Sequence, residues 1–398
     1  MKQLLNKYKS SAAALKLFVF VGFVWATLVG PISYVIIMAH FGATSSQIGI
    51  VVAICAVIGM ICQPLWGLLS DKIRSPRRVL SGCLGMSVLF FSCVLLTDNF
   101  LIIAVLFIVE AVFRCSIIAL LDSHTLSEIN TIPGLQYGSI RLGGSAFYGI
   151  TSLIYSIVIS AFGVMSIVPI TMVLAAITVS WGFFIAKGNS EEAHKTGTSK
   201  AKRNLKKEAL SLLKNKSYLI FLVYIAFNAL ALMPLFIFII EYVTRMGGGP
   251  ENVHMIAFLR CVVEVPFFIL ISKFGKRWSY RKLLILGMCF SVMHVSGLIF
   301  STNISWLTVS YMFGAVAYIV GLTGRLRYVF EATPEIVRST SITLIGACEM
   351  GIGSVVGNLL AGFIIGLYGT QVFSMASMVA LSIAMIFLGL LCMMDRAR

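Results

Sequence analysis

Apolar residues fill this chain in long runs, and polar residues gather in the short intervals between them. A helix needs about 20 consecutive apolar residues to cross the hydrocarbon core of a bilayer. The runs predict twelve spanning helices, at about 15–39, 46–69, 79–97, 100–122, 138–160, 163–186, 217–243, 252–272, 282–301, 303–324, 338–367 and 371–394. The first run is longer than the apolar core of about 7–15 residues in a cleaved signal. It is expected to stay as a span, with its basic N-terminal side in the cytoplasm.

One interval breaks the pattern. KGNSEEAHKTGTSKAKRNLKKEALSLLKNK, residues 187–216, is polar and basic, then turns amphipathic near Leu205 to Leu213. It is expected to be a cytoplasmic linker between two six-helix bundles, residues 1–186 and 217–398. The two halves echo each other: SDKIRSPRR follows the second span of one, SKFGKRWSYRK the second span of the other. Such internal duplication is the signature of secondary transporters, whose site lies between repeats near mid-membrane.

Composition agrees with lipid as the solvent. Of 398 residues, 59% are hydrophobic and 12% charged, against about 25% charged in a soluble domain. The net charge of +16 suggests nucleic acid only until its placement is seen. Apart from Arg114, Arg141, Arg245 and Arg260, every Lys and Arg falls in a segment on one side of alternate spans. That is the positive-inside pattern. It puts both termini in the cytoplasm of a multi-pass cell-membrane protein and leaves no compact basic domain for nucleic acid. The nine cysteines are scattered through apolar runs with no CxxC or Cys/His spacing, so neither a disulfide framework nor a structural metal is expected. No nucleophile–base pair or phosphate loop argues for an enzyme, and no cofactor is implied.

Charged residues inside spans are functional candidates because they are costly there. Asp122 ends the fourth predicted span and Arg141 begins the fifth, in DSHTLSEINTIPGLQYGSIRLGGSAFY. The two are expected to face each other. Tyr148 lies seven residues after Arg141, close to two helical turns, and so on the same face. A guanidinium fork beside an aromatic plate suits a ring that carries hydroxyls. Glu110 and Arg114, one turn apart, are expected to satisfy each other; Arg260 lies one turn before Glu264 and could pair with it, although Glu264 is expected to serve coupling or binding. Glu349 has no partner nearby in sequence, and Arg325 is assigned to a connector. His294 stands alone in an apolar span, with a proton affinity suited to exchange near neutral pH. His124 is expected to be solvated. Trp25, Tyr34, Trp66 and Tyr311 are expected to serve packing or the interface.

Several stretches resemble the major facilitator superfamily. QPLWGLLSDK, Gln63–Lys72, is similar to the end of its second span, and most of all to the lactose permease branch of the oligosaccharide/proton symporters. The resemblance implies a gating role for Gly67, Asp71, Arg77 and Arg78. The family's usual glycine after the acidic–basic pair is missing; Arg74, Ser75 and Pro76 occupy that region. YGSIRLGGSAFY resembles the fifth-span entry of the same branch. It implies substrate binding by Arg141 and by Tyr148, where that branch has a tryptophan, and by Asp122 within one position of its glutamate. RCVVEVPFFILISKFG resembles the eighth span of these permeases and of phenylpropionate permease relatives, and puts Glu264 on their buried glutamate. The eleventh span, with Pro334, Arg338 and GIGSVVGNLLAG, is similar to those relatives too. The branch's tenth-span His and Glu would fall near Tyr311 and Gly314, and its ninth-span Arg near Met293. Those roles are empty, so proton coupling is assigned to Glu264, His294 and Glu349.

Together these readings predict an all-α integral membrane protein with the major facilitator fold. It is expected to be a monomer that carries a small polar solute with a proton, a sugar or oligosaccharide first, a nucleoside or aromatic acid next. Na⁺ stays open as the coupling ion. The alternative is a proton-antiport exporter of amphipathic compounds.

Overall fold

The computed structural model describes residues 2–73, 75–129, 132, 135, 137–182, 214–274, 278–333 and 338–394. These form α1 (Lys2–Ile32), α2 (Tyr34–His40), α3 (Ser45–Ile73), α4 (Pro76–Ser92), α5 (Phe100–Ile129), α6 (Tyr137–Phe162) and α7 (Ile167–Ser180). There follow α8 (Lys216–Ile237), α9 (Ile239–Arg245), α10 (Pro250–Phe274), α11 (Tyr280–Ile299), α12 (Ile304–Ala332), α13 (Arg338–Cys348), a π-helical segment (Glu349–Val356) and α14 (Gly357–Met394). The predicted linker over 187–216 lies outside the described residues except for its last three, and Pro334 lies outside them too.

Ten helical stretches among the described residues are long and apolar enough to cross a membrane, and Val164–Ser180 is a shorter apolar helix. The last stretch, Leu344–Met394, is two helices joined at Gly369, whose φ of 83° breaks the run. Apolar helices thus stand at every one of the predicted spans. Their outer faces are apolar as well: Leu68, Leu96, Phe162 and Leu367 are all well exposed. Water would penalise such a surface; lipid does not.

Two helices outrun their predicted ends by about two turns. The helix expected to stop at 122 continues to Ile129, and the one expected to stop at 324 continues to Ala332. Hydropathy marks where the bilayer ends, while backbone hydrogen bonding carries a helix on through polar sequence.

Residues Met1–Gly42 with Ile58–Ser199 form one compact unit, and Ala43–Val57 with Lys200–Arg398 form a second. In the first, α1 packs on α6 and α7, and α4 on α5. Leu17, Val21, Val24 and Leu28 of α1 meet Leu80, Leu84, Ile117 and Leu121 in its core. Short polar bonds stitch the helices: Thr27 to Thr178 at 3.0 Å and Tyr155 to Thr171 at 2.6 Å. Tyr34 stacks on Phe107 at 4.4 Å, and the Trp66 indole donates to the Val112 carbonyl at 2.7 Å, the packing roles expected of both.

In the second unit α11 lies along α12, and α8 lies along α14. Small residues permit the close approach. A Cβ at Gly353 would meet that of Ala229 at 2.7 Å, and one at Gly357 would meet Pro234 at 3.0 Å. Gly362 lies against Gly49, where a Cβ would come 2.7 Å from the Ser45 carbonyl oxygen. The Ser45 hydroxyl beside it donates to the Glu241 carboxylate at 2.7 Å.

Candidate functional site

Asp122 lies well inside α5, since that helix runs on to Ile129. The Tyr137 hydroxyl donates to its Oδ1 at 2.7 Å. Tyr137 is the first residue of α6, so the bond ties the end of one helix to the start of the next. Arg141, one turn further along, exerts its charge on Asp122 but does not clasp it. The expected face-to-face pair is corrected here: a phenol hydrogen bond holds the carboxylate, and the guanidinium sits elsewhere.

It sits on Trp25. The guanidinium carbon lies 4.0 Å from the centroid of the indole ring. A cation over an indole face gains roughly 0.5–2 kcal/mol, and a guanidinium held there has five N–H donors with which to address a ligand. Tyr148 meets the same indole edge-on, centroids 6.3 Å apart. Gly144 lies between them on one face of α6, and a Cβ there would come 2.5 Å from the Trp25 ring and 2.8 Å from Arg141 Nη1. The glycine is therefore what lets the indole reach both. Trp25 Nε1 is buried and has no hydrogen-bond partner among the described residues.

Trp25 is the residue that sequence reasoning assigned to packing. The available signal was the glycine: a helix face with Arg141 and Tyr148 at its ends and Gly144 between them has room for a large ring from a neighbouring helix. Gly144→Ala is expected to push the indole off the guanidinium and raise the KM for uptake about tenfold, while folding is kept. Initial-rate uptake by purified protein in vesicles measures it.

The predicted coupling residues lie in the second unit. Glu264 is half-buried on α10, two residues before Pro266, which lies inside that helix. Arg260 stands over the Phe236 ring at 4.8 Å, so the Arg260–Glu264 pairing that the spacing allows is also corrected. His294 is buried. Its Nδ1 lies 2.8 Å from the Ser310 carbonyl oxygen, and the Ser310 hydroxyl donates back to the His294 carbonyl at 2.6 Å. Donation to a carbonyl puts the proton on Nδ1 and leaves Nε2 as the acceptor in the neutral ring. Glu349 has a partner after all. It opens the π-helical segment and forms an ion pair with Arg325, which the extension of α12 places on a helix rather than in a connector. Wide π turns inside α-helices recur at functional sites.

Glu110 and Arg114 do satisfy each other, with Nε to Oε2 at 2.8 Å. His124 is buried, not solvated, and lies edge-on to Phe20 with centroids 5.6 Å apart. Of the residues given a gating role, Gly67 has open space where a Cβ would go. Asp71 is exposed in the last turn of α3, and Arg77 and Arg78 are in the first turn of α4. Both charges oppose the dipole of the helix end that carries them.

Residues 13–376 match the MFS_1 like family. The chain belongs to that family. It is a multi-pass membrane transporter of the major facilitator type. Among curated relatives, an uncharacterized transporter, YwbF, from Bacillus subtilis (strain 168) is 24% identical over 88% of this chain and 86% of its own. A maltose permease from Geobacillus stearothermophilus is 21% identical, with 90% of each chain covered. A putative nucleoside transporter, YegT, from Escherichia coli (strain K12) is 23% identical over 85% of this chain and 81% of its own. Among solved structures, the nucleoside transporter NupG superposes with a TM-score of 0.78, covering 96% of this chain and 99% of its own at 14% identity. A point mutant of NupG gives 0.79 at the same coverage. At that identity the structural likeness speaks for the fold alone, which is the major facilitator fold expected from the sequence.

Proposed function

We propose that this MFS_1 like transporter imports a hydroxyl-rich polar solute, a sugar or a nucleoside, together with a proton, by alternating access in the cell membrane. The observation that carries the reading is the Arg141–Trp25 stack with Tyr148 at its edge. It offers a donor fork and aromatic edges to one small ligand, and suits a ring with acceptor oxygens better than an amphipathic cation, which the guanidinium would repel. The names of the relatives, a maltose permease and a putative nucleoside transporter, support the same solute class. Asp122 accepts a solute hydroxyl in this reading, with Tyr137 holding its other side.

Coupling falls to Glu264, His294 and the Glu349–Arg325 pair. A proton on Glu349 would cancel the charge that holds Arg325, and so favour whichever state has that pair apart. A ligand moves a conformational equilibrium only through its differential affinity for the states, and a proton obeys the same rule. Gly67, Asp71, Arg77 and Arg78 are assigned to the gate between states, residues 1–186 and 217–398 to the two bundles, and both termini to the cytoplasm.

Vesicles containing the purified protein, given labelled maltose or uridine and an inward proton gradient, should accumulate one of the two. A protonophore should abolish that accumulation, and Glu264→Gln or Glu349→Gln should abolish it while leaving solute exchange in place. Proton-driven efflux of amphipathic dyes without accumulation of either solute would replace this reading with the exporter. Accumulation driven by Na⁺ alone would replace the coupling ion.

A further inference from the structure

Arg260 is a cation without the partner its sequence offers. Its guanidinium lies over Phe236, and its Nε is buried with no hydrogen-bond partner among the described residues. Its charge also reaches His294 and Tyr311. Neither of those gives its Nε a hydrogen bond, although each has a lone pair that could accept one. The Tyr311 hydroxyl donates to the Leu235 carbonyl at 2.7 Å. The His294 ring is clasped to Ser310 through Nδ1. Gly314 makes room for that ring, since a Cβ there would come 3.1 Å from Cδ2. The cluster is thus built around an N–H that lacks an acceptor. A buried donor left this way is costly unless an acceptor arrives during function.

We propose that Arg260 is a second solute-binding residue, carried by the second unit, that receives a carbonyl or hydroxyl oxygen of the transported molecule. Phe236 lies 4.8 Å from the guanidinium carbon, as Trp25 lies 4.0 Å from that of Arg141. His294 Nε2 is the complementary acceptor for a solute hydroxyl. The assignment rests on the solute reading above and extends it to a residue that the family resemblance left unused. Trp25 Nε1 is likewise a buried donor without a hydrogen-bond partner among the described residues. A solute with several hydroxyl or carbonyl oxygens supplies acceptors, and a purely apolar one does not.

The full-length protein in vesicles, assayed with maltose and uridine, tests this. Arg260→Met is expected to raise the KM for the accumulated solute at least about tenfold, with the pH profile of uptake unmoved. The melting temperature of the solute-free protein should not fall, because no bonded partner is lost. Arg260→Lys keeps the charge but not the planar fork, and is expected to fold like wild type and show a similar loss of affinity. A wild-type KM in Arg260→Lys and Arg260→Met would overturn the proposal. So would a shifted pH profile at constant KM, which would make Arg260 a counter-ion of Glu264 instead. If Arg141→Ala loses uptake while both Arg260 variants keep a wild-type KM, only the present assignment falls. If wild type takes up neither solute, the underlying reading falls and takes Arg260 with it.

Discussion

Arg141→Ala is expected to reduce uptake efficiency about 100- to 10,000-fold, because two charge-assisted hydrogen bonds to solute oxygens at roughly 1.5–3 kcal/mol each are lost. Arg141→Lys should do little better. A lysine keeps the charge, but it cannot lie flat on the indole 4.0 Å away and still present a paired edge. Trp25→Phe separates the plate from the orphan N–H: it keeps an aromatic face for the guanidinium and is expected to lose only about tenfold. Initial rates with labelled maltose or uridine, normalised to protein in the vesicles, give all three values. Wild-type uptake by Arg141→Ala at normal abundance would remove the site from the first unit.

The second large effect concerns stability. Glu110 is fully buried, bonded by the Ser87 hydroxyl at 2.5 Å and by Arg114 Nε at 2.8 Å. Glu110→Ala removes the carboxylate that Arg114 Nε donates to and orphans the Ser87 hydroxyl. Removing one partner of a buried pair costs about 3–5 kcal/mol, a large share of a stability of roughly 5–15 kcal/mol. The variant is expected to give little monodisperse protein and a clearly lower melting temperature in detergent. The double change Glu110→Leu with Arg114→Leu removes both charges and should recover much of the loss, since apolar replacement of a whole pair is often neutral or better. A single variant as stable as wild type would mean that water reaches Arg114.

The fold was legible because a bilayer imposes one length on every span. Each apolar run became a helix, including the pair that shares the stretch from Leu344 to Met394. What hydropathy could not show was where helices stop. DSHTLSEI after the fourth run is polar, yet it stays helical to Ile129; Asp122 therefore lies inside a helix and finds Tyr137 rather than Arg141. In the same way the extension of α12 carried Arg325 to Glu349, a pairing between residues too far apart in sequence for any spacing rule.

Local rules gave mixed results at the charged positions. Glu110 and Arg114 obeyed the one-turn rule because Ser87 completes the carboxylate's shell. Arg260 and Glu264 have the same spacing, but the face of Phe236 took the guanidinium instead. Arg141 and Tyr148 were legible from their shared face, whereas the ring that joins them comes from another helix, and only the glycine between them recorded its presence.

The joint at Gly369 has a bearing on how the protein is made. A single residue with positive φ separates the last two helices, and there is no stretch of loop between them. A side chain at this position is expected to strain the joint, because L-residues rarely adopt that backbone conformation, and so to lower the yield of inserted protein; membrane abundance of Gly369→Val against wild type measures it.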